Sequence, residues 1–96
     1  MTASFHLSPD ALFPDWPVHD ARALVPEDLA ALLALAPEVI VLGTGRRQCF
    51  PSALVMAACL TRGVGIEVMD NHAAARTFSI LAGEGRRVVA GFVLTP

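Results

Sequence analysis

The stretch Val39-Ile40-Val41-Leu42-Gly43-Thr44-Gly45-Arg46-Arg47 decides the fold. Its first four residues are apolar, unbroken and mostly β-branched. That pattern fits a strand covered on both faces by helices better than one with a face in water. It reads as a central, parallel-type strand, and the two glycines behind it open the loop to the next helix.

Working downstream, Pro51 to Arg62 is rich in Ala, Leu and Met and closes on Arg62-Gly63, a cation in the last turn with a glycine past the end. The helix is nearly apolar all round, so it is expected to be well buried. Val64 to Met69 forms the next strand. Asp70 then serves as N-cap of a third helix running to about Ala82, with Gly83 beyond it. Arg87 to Leu94 is the last strand, in which Gly91 marks a bulge or a close backbone approach.

Working upstream, Pro26-Glu27-Asp28 puts a proline at the first helical position and two carboxylates in the first turn. Leu29, Leu32 and Leu33 recur at helical spacing until Pro37 ends the run, which gives a helix over about 26 to 35. Before it, Phe5-His6-Leu7 reads as a short strand, and Pro9, Pro14 and Pro17 break regular structure after it. Residues 1 to 24 are therefore a short strand and an extended arm, in which Trp16 either packs the arm onto the domain, the reading favoured by how often Trp is buried, or stands exposed as a contact for a partner. Alternation of strands and helices over 25 to 96 argues for one layered α/β domain spanning 1 to 96, its crossovers right-handed.

Composition narrows the partners. The 96 residues are 54% apolar and 17% charged, with no uninterrupted apolar run near the ~18 residues of a membrane helix. No membrane insertion is expected. The first arginine is Arg22 and no leader pattern is readable at the start, so a cytoplasmic location is the expectation. Seven basic residues, all arginine, against a net charge of −2 give no field that argues for nucleic acid. Cys49 and Cys59 lack zinc or redox spacing, and His6, His19 and His72 are scattered, so no metal is assigned.

Chemistry concentrates around the glycine loop. Gly43 and Gly45 follow a parallel strand, where backbone N–H groups can approach an anion. Yet position 48 is Gln where the dinucleotide fingerprint needs its third glycine, and the helix begins only at Pro51. A true Rossmann cofactor site is therefore not expected, and no cofactor is assigned. A plain turn with glycine dihedrals accounts for the motif.

Arg46 and Arg47 can grip a carboxylate or phosphate bidentately, although solvated surface charge is the simpler reading. Asp70 ends the neighbouring strand and Arg76 lies on the following helix, so adjacent parallel strands would gather all four at one edge. Asp70 is also explained by its capping role, and His72 stands four residues before Arg76 on one helix face. Glu67, inside an apolar strand, is expected in a buried ion pair with an arginine. Cys49, beside the arginines and ahead of a helix, is a candidate reactive thiol, ranked below a packed, inert cysteine. Cys59 is core.

The stretches L-G-T-G-R-R-Q-C-F-P at 42 to 51, G-I-E-V-M-D at 65 to 70 and A-A-A-R-T-F-S at 73 to 79 together resemble a small domain-of-unknown-function family. The family includes the mitochondrial respiratory complex I assembly factor 3 and the adipogenesis-associated protein. The resemblance covers about residues 5 to 94. It implies a three-layer α/β/α-type domain around a mixed, mostly parallel five-stranded sheet, and no established enzymatic activity. It marks Gly43, Thr44, Gly45, Arg46, Gln48, Pro51, Asp70, Arg76 and Thr77 as motif residues of unknown role.

Its eukaryotic members assemble a membrane enzyme complex through protein contacts, which implies a non-enzymatic binding or assembly-factor-like protein. The partner is then a protein or a small anionic ligand, with Arg47 beside the motif residues in the cleft. An anionic-metabolite binder or a redox enzyme using Cys49 is the alternative. Relatives often begin with a glycine-rich hairpin that is not found here, which would leave a sheet edge for another copy of the chain to cover. They also often have Thr or Ser where Val25 stands, a cap worth ~1 kcal/mol.

Overall fold

The computed structural model describes residues 3–94. Five strands form one mixed sheet: β1 (Phe5–Leu7), β2 (Leu12–Phe13), β3 (Val39–Gly43), β4 (Gly65–Met69) and β5 (Val88–Phe92). The spatial order is β2-β1-β5-β3-β4. β3 is parallel to both β4 and β5, and β1 is antiparallel to β2 and β5. The expected mixed sheet is therefore observed: β5 is its middle strand, and β3 is the middle strand of its parallel part.

All five residues of β3 are buried because both faces are covered. Val39 and Val41 face α3 (Asn71–Gly83) together with Val88, Ala90 and Phe92 of β5. Ile40 and Leu42 face the opposite layer, built from the arm, α1 (Ala30–Leu33) and α2 (Ala53–Leu60). A period of two along each strand thus feeds two cores, one per face. Three layers result.

The arm is anchored as expected. Trp16 is buried, and its Nε1–H donates to the Asp28 carbonyl at 2.9 Å. Gly91 is the surface it lies on: a Cβ there would meet the Trp16 ring at 2.8 Å and Leu32 at 3.0 Å. The register of β5 runs unbroken through Gly91, so close approach, not a bulge, explains the glycine.

The prolines do not keep the arm irregular, since β2 pairs with β1 within it and Ala21–Ala23 is a 3₁₀ turn. Three expectations beyond the arm also fail. Residues 26 to 35 do not form one helix: Pro26–Leu29 is a 3₁₀ turn and only Ala30–Leu33 is α-helical. Val25 offers no side-chain cap, the Asp28 carboxylate takes the Val25 N–H at 2.9 Å, and Asp28 N–H bonds back to Val25 O at 2.9 Å, the three-residue spacing of a 3₁₀ turn. Ala36, just before Pro37, has a φ of 55°, which ends the helix.

Second, α2 is not well buried. It turns only Val55 and Cys59 fully inward, while Leu54 and Leu60 stay exposed. Third, Glu67 is exposed and, among the described residues, in no ion pair. Both follow from β4 being an edge strand, on which solvent and not an arginine meets the carboxylate.

Candidate functional site

The carboxyl ends of β3, β4 and β5 lie level, since Gly43 pairs with Met69 on one side and Phe92 on the other. The loop leaving β3 is stitched across that edge. Thr44 N–H donates to Met69 O at 2.9 Å, Asn71 N–H donates to Gly45 O at 2.8 Å, and Val93 N–H donates to Gly43 O at 2.9 Å. Gly45 adopts a φ of 107°, a left-handed conformation that a side chain would strain.

Thr44 organises the turn from within. Its buried hydroxyl donates to Arg47 O at 2.7 Å and accepts the Cys49 N–H at 3.0 Å. Gln48 Nε2 donates to Val68 O at 2.9 Å, so it closes one carbonyl of the open β4 edge. Asp70 Oδ1 accepts the Ala73 N–H at 2.8 Å, the helix cap anticipated from its position. These groups are committed to the shape of the loop. Arg46 and Arg47 are exposed and, among the described residues, neither is in an ion pair.

Two clefts flank the loop and share Gly45 and Arg46. One, of about 450 Å³, is lined by Asp20, Arg22, Thr44, Arg47, Gln48 and Cys49 as well. The other, of about 320 Å³, adds Asp70, Asn71 and His72. The structure therefore brings Gly45, Arg46 and Asp70 to one edge. Arg76 and Thr77 line neither cleft: Arg76 lies along the exposed side of α3, its Nη2 at 3.1 Å from His72 Nε2. Gly43 also lines neither cleft and is packed under Asn71, Ala74 and Phe92.

Cys49 is half-buried against the core of the α2 layer, while burial of Cys59 pushes its thiol pKa up. Among the described residues no group of three His, Cys, Asp or Glu is placed to hold a metal ion, and no helix is long and apolar enough to cross a membrane.

Sequence reasoning missed three polar residues. Asn71 Nδ2 donates to Val93 O at 2.9 Å, while its Oδ1 is buried without a partner, directly over Gly43. A Cβ at position 43 would collide with that oxygen. The available signal was a glycine at the strand end facing an Asn just after the cap. Ser4 Oγ donates to Val18 O at 2.7 Å and accepts the Leu94 N–H at 2.8 Å, tying the arm to the end of the chain. His6 is buried between aromatic rings, and burial pushes its pKa down.

A five-stranded mixed sheet with helices on both faces and a stitched loop at the ends of its parallel strands defines a small layered α/β domain. Residues 1–93 match the family described as a protein of unknown function, DUF498/DUF598, and the chain belongs to that family.

Among solved structures it is similar to a Xanthomonas campestris protein, with 54% identity and a TM-score of 0.90 over 98% of this chain and 71% of that one. A Bordetella parapertussis protein has 38% identity and a TM-score of 0.90 over 98% and 80%. Among curated relatives, the human NADH dehydrogenase (ubiquinone) 1 alpha subcomplex assembly factor 3 is 34% identical over 96 residues, 94% of this chain and 51% of that protein. A 13 kDa major membrane protein of Francisella tularensis is 28% identical over 71 residues, 74% of this chain and 58% of that protein. The chain thus spans little more than half the length of these curated relatives.

Proposed function

We propose that the chain is a non-enzymatic binding protein of the assembly-factor type, which presents the loop from Gly43 to Gln48 and the adjoining Asp70 to a partner protein. The observation that carries this reading is the division of labour in the loop. Thr44, Gln48 and Asp70 fix its shape with their own hydrogen bonds, and Arg46 and Arg47 are left facing solvent. A preorganised loop loses little entropy on binding, and paired guanidinium groups suit carboxylates. The similarity to a complex I assembly factor supports a protein partner. The reading places the protein in the cytoplasm and leaves an open sheet edge at which a second copy could pair.

Affinity capture from cell extract, with the wild type beside Arg46→Ala/Arg47→Ala and Cys49→Ser, tests it. The double arginine variant should lose a reproducible partner that Cys49→Ser retains. Capture unaffected by the arginines, or a catalytic turnover abolished by Cys49→Ser, would overturn it.

The arginine-walled cleft of about 450 Å³ favours a second reading, binding of a small anionic metabolite. A thermal-shift screen at low salt tests this, because ligand at a hundred times its Kd stabilises by ~2.7 kcal/mol. A melting curve that no anionic metabolite moves rules the second reading out.

A further inference from the structure

Helix α2 carries a surface that the loop does not use. Phe50, Leu54 and Leu60 are 63%, 70% and 61% exposed, and the helix is apolar on its outer side from end to end. Large apolar side chains grouped on a small domain mark a binding surface. Charge decides what covers it. Between Val39 and Ile66 the chain has no Asp or Glu and three arginines: Arg46 and Arg47 ahead of Phe50, and Arg62 just past Leu60.

Among the described residues none of the three is in an ion pair. The nearby carboxylates have other partners or lie on the other face. Asp20 and Asp70 line the clefts beside Arg46, but Asp20 lies 3.7 Å from Arg22 and Asp70 caps α3; Glu38, next to Gly65, is 3.0 Å from Arg86, and Glu67 pairs with Val41 at a register position on the α3 side of the sheet. A second copy docked on this face would set guanidinium against guanidinium. The face is also the convex side of a helix, and neither cleft beside the loop reaches Phe50, Leu54 or Leu60. Peptide-binding proteins seat apolar anchors in grooves. A convex apolar ridge with cations at both ends instead suits a fluid anionic plane, where the side chains sink to the headgroup boundary and the guanidinium groups stay at the phosphates.

We propose that α2 docks the protein peripherally on an anionic bilayer surface, with Phe50, Leu54 and Leu60 entering the interface and Arg46, Arg47 and Arg62 meeting lipid phosphates. This goes beyond partner binding by the loop, although Arg46 and Arg47 border both surfaces.

Vesicle flotation with phosphatidylcholine alone and with a phosphatidylcholine–phosphatidylglycerol mixture tests the proposal. The chain should float with the anionic vesicles only, less so at high salt. Leu54→Ser/Leu60→Ser should abolish flotation with an unchanged melting temperature. Arg62→Ala should weaken it about fivefold, the factor for one cation at an anionic surface, and Arg86→Ala, at an arginine already paired with Glu38, should not. Any of four results would overturn the proposal: no flotation, equal binding to neutral vesicles, flotation surviving the double serine variant, or a dimer in sedimentation velocity that the double serine variant dissociates. Binding of an acidic peptide to this face without vesicle binding would overturn it as well. Partner capture lost in Arg46→Ala/Arg47→Ala but kept in Arg62→Ala and Leu54→Ser/Leu60→Ser leaves the loop reading intact whatever the vesicles show.

Discussion

At position 91 a side chain has nowhere to go. The Trp16 ring and Leu32 press on that backbone from the α1 side, so a methyl group must displace them or shift the strand. Gly91→Ala is expected to destabilise the fold by about 1–3 kcal/mol, the range for overpacking a filled core, read from the urea midpoint. The same aromatic corner holds His6. Its ring stacks on Phe13 at 4.7 Å and meets Trp16 edge-on at 6.2 Å, with Nδ1 buried and unpartnered. Burial lowers its pKa below 6.5, so the unfolded chain takes up a proton that the folded chain resists.

Stability should therefore be full above pH 6.5, fall as pH drops through 6.5 towards the folded pKa, and level off below it. Glu38 acts lower. The Arg87 N–H and the Arg86 guanidinium hold its carboxyl below 4.5, so its contribution is present above that pH and is lost as pH falls through its folded value. His6→Phe keeps an aromatic ring in the stack and should remove the first decline but not the second. Urea midpoints in mildly acidic buffer that fall in parallel for the wild type and His6→Phe would assign the decline to another group.

Among the elements, strands and helices differ in how openly they declare themselves. β3 and β5 are continuous apolar runs, and continuous burial follows from helices on both faces. Helix α2 is as apolar as either, but its sequence does not reveal that it crosses to an edge strand, where its outer side meets solvent. Glu67 misled for the same reason: burial of a strand residue depends on sheet order, which no local pattern encodes. The loop was legible because glycines and arginines follow a recognisable strand. Asn71 was not, because its partner Val93 is distant in sequence.

The two sides of α2 predict opposite mutational costs. Val55→Ala removes two methyl groups from a fully buried site and should cost about 2 kcal/mol once the cavity is included. Leu54→Ala, at a position 70% exposed, should stay within about 0.5 kcal/mol. Chemical denaturation of the two variants checks the orientation of the helix directly, and similar costs would mean that its outer side is covered in solution.

In the whole molecule the arm from residue 3 to residue 24 is the piece whose place the sequence left open, and the structure makes it part of the core. Trp16, Val18, Ala21 and Leu24 are buried against Ile40, Leu42 and Val89, so the α2-side layer is unfinished without them. Ser4 adds a long-range tie through Val18 O and the Leu94 N–H. A domain of this size has little apolar surface to forgo, which argues that arm and sheet unfold together. Trp16→Ala should then cost about 3–5 kcal/mol, the range for deleting a large buried aromatic, in a single cooperative transition. Trp16→Phe keeps a ring over Gly91 but strands the Asp28 carbonyl, and should cost nearer ~1 kcal/mol. Hydrogen exchange supplies the deciding measurement: amides of Trp16 and Val18, which bond to Ser4 O and Trp16 O, should exchange in step with those of β3 in the wild type. Fast exchange of the arm over a protected sheet would show that the arm is an appendage, and Trp16→Ala would then cost far less than predicted.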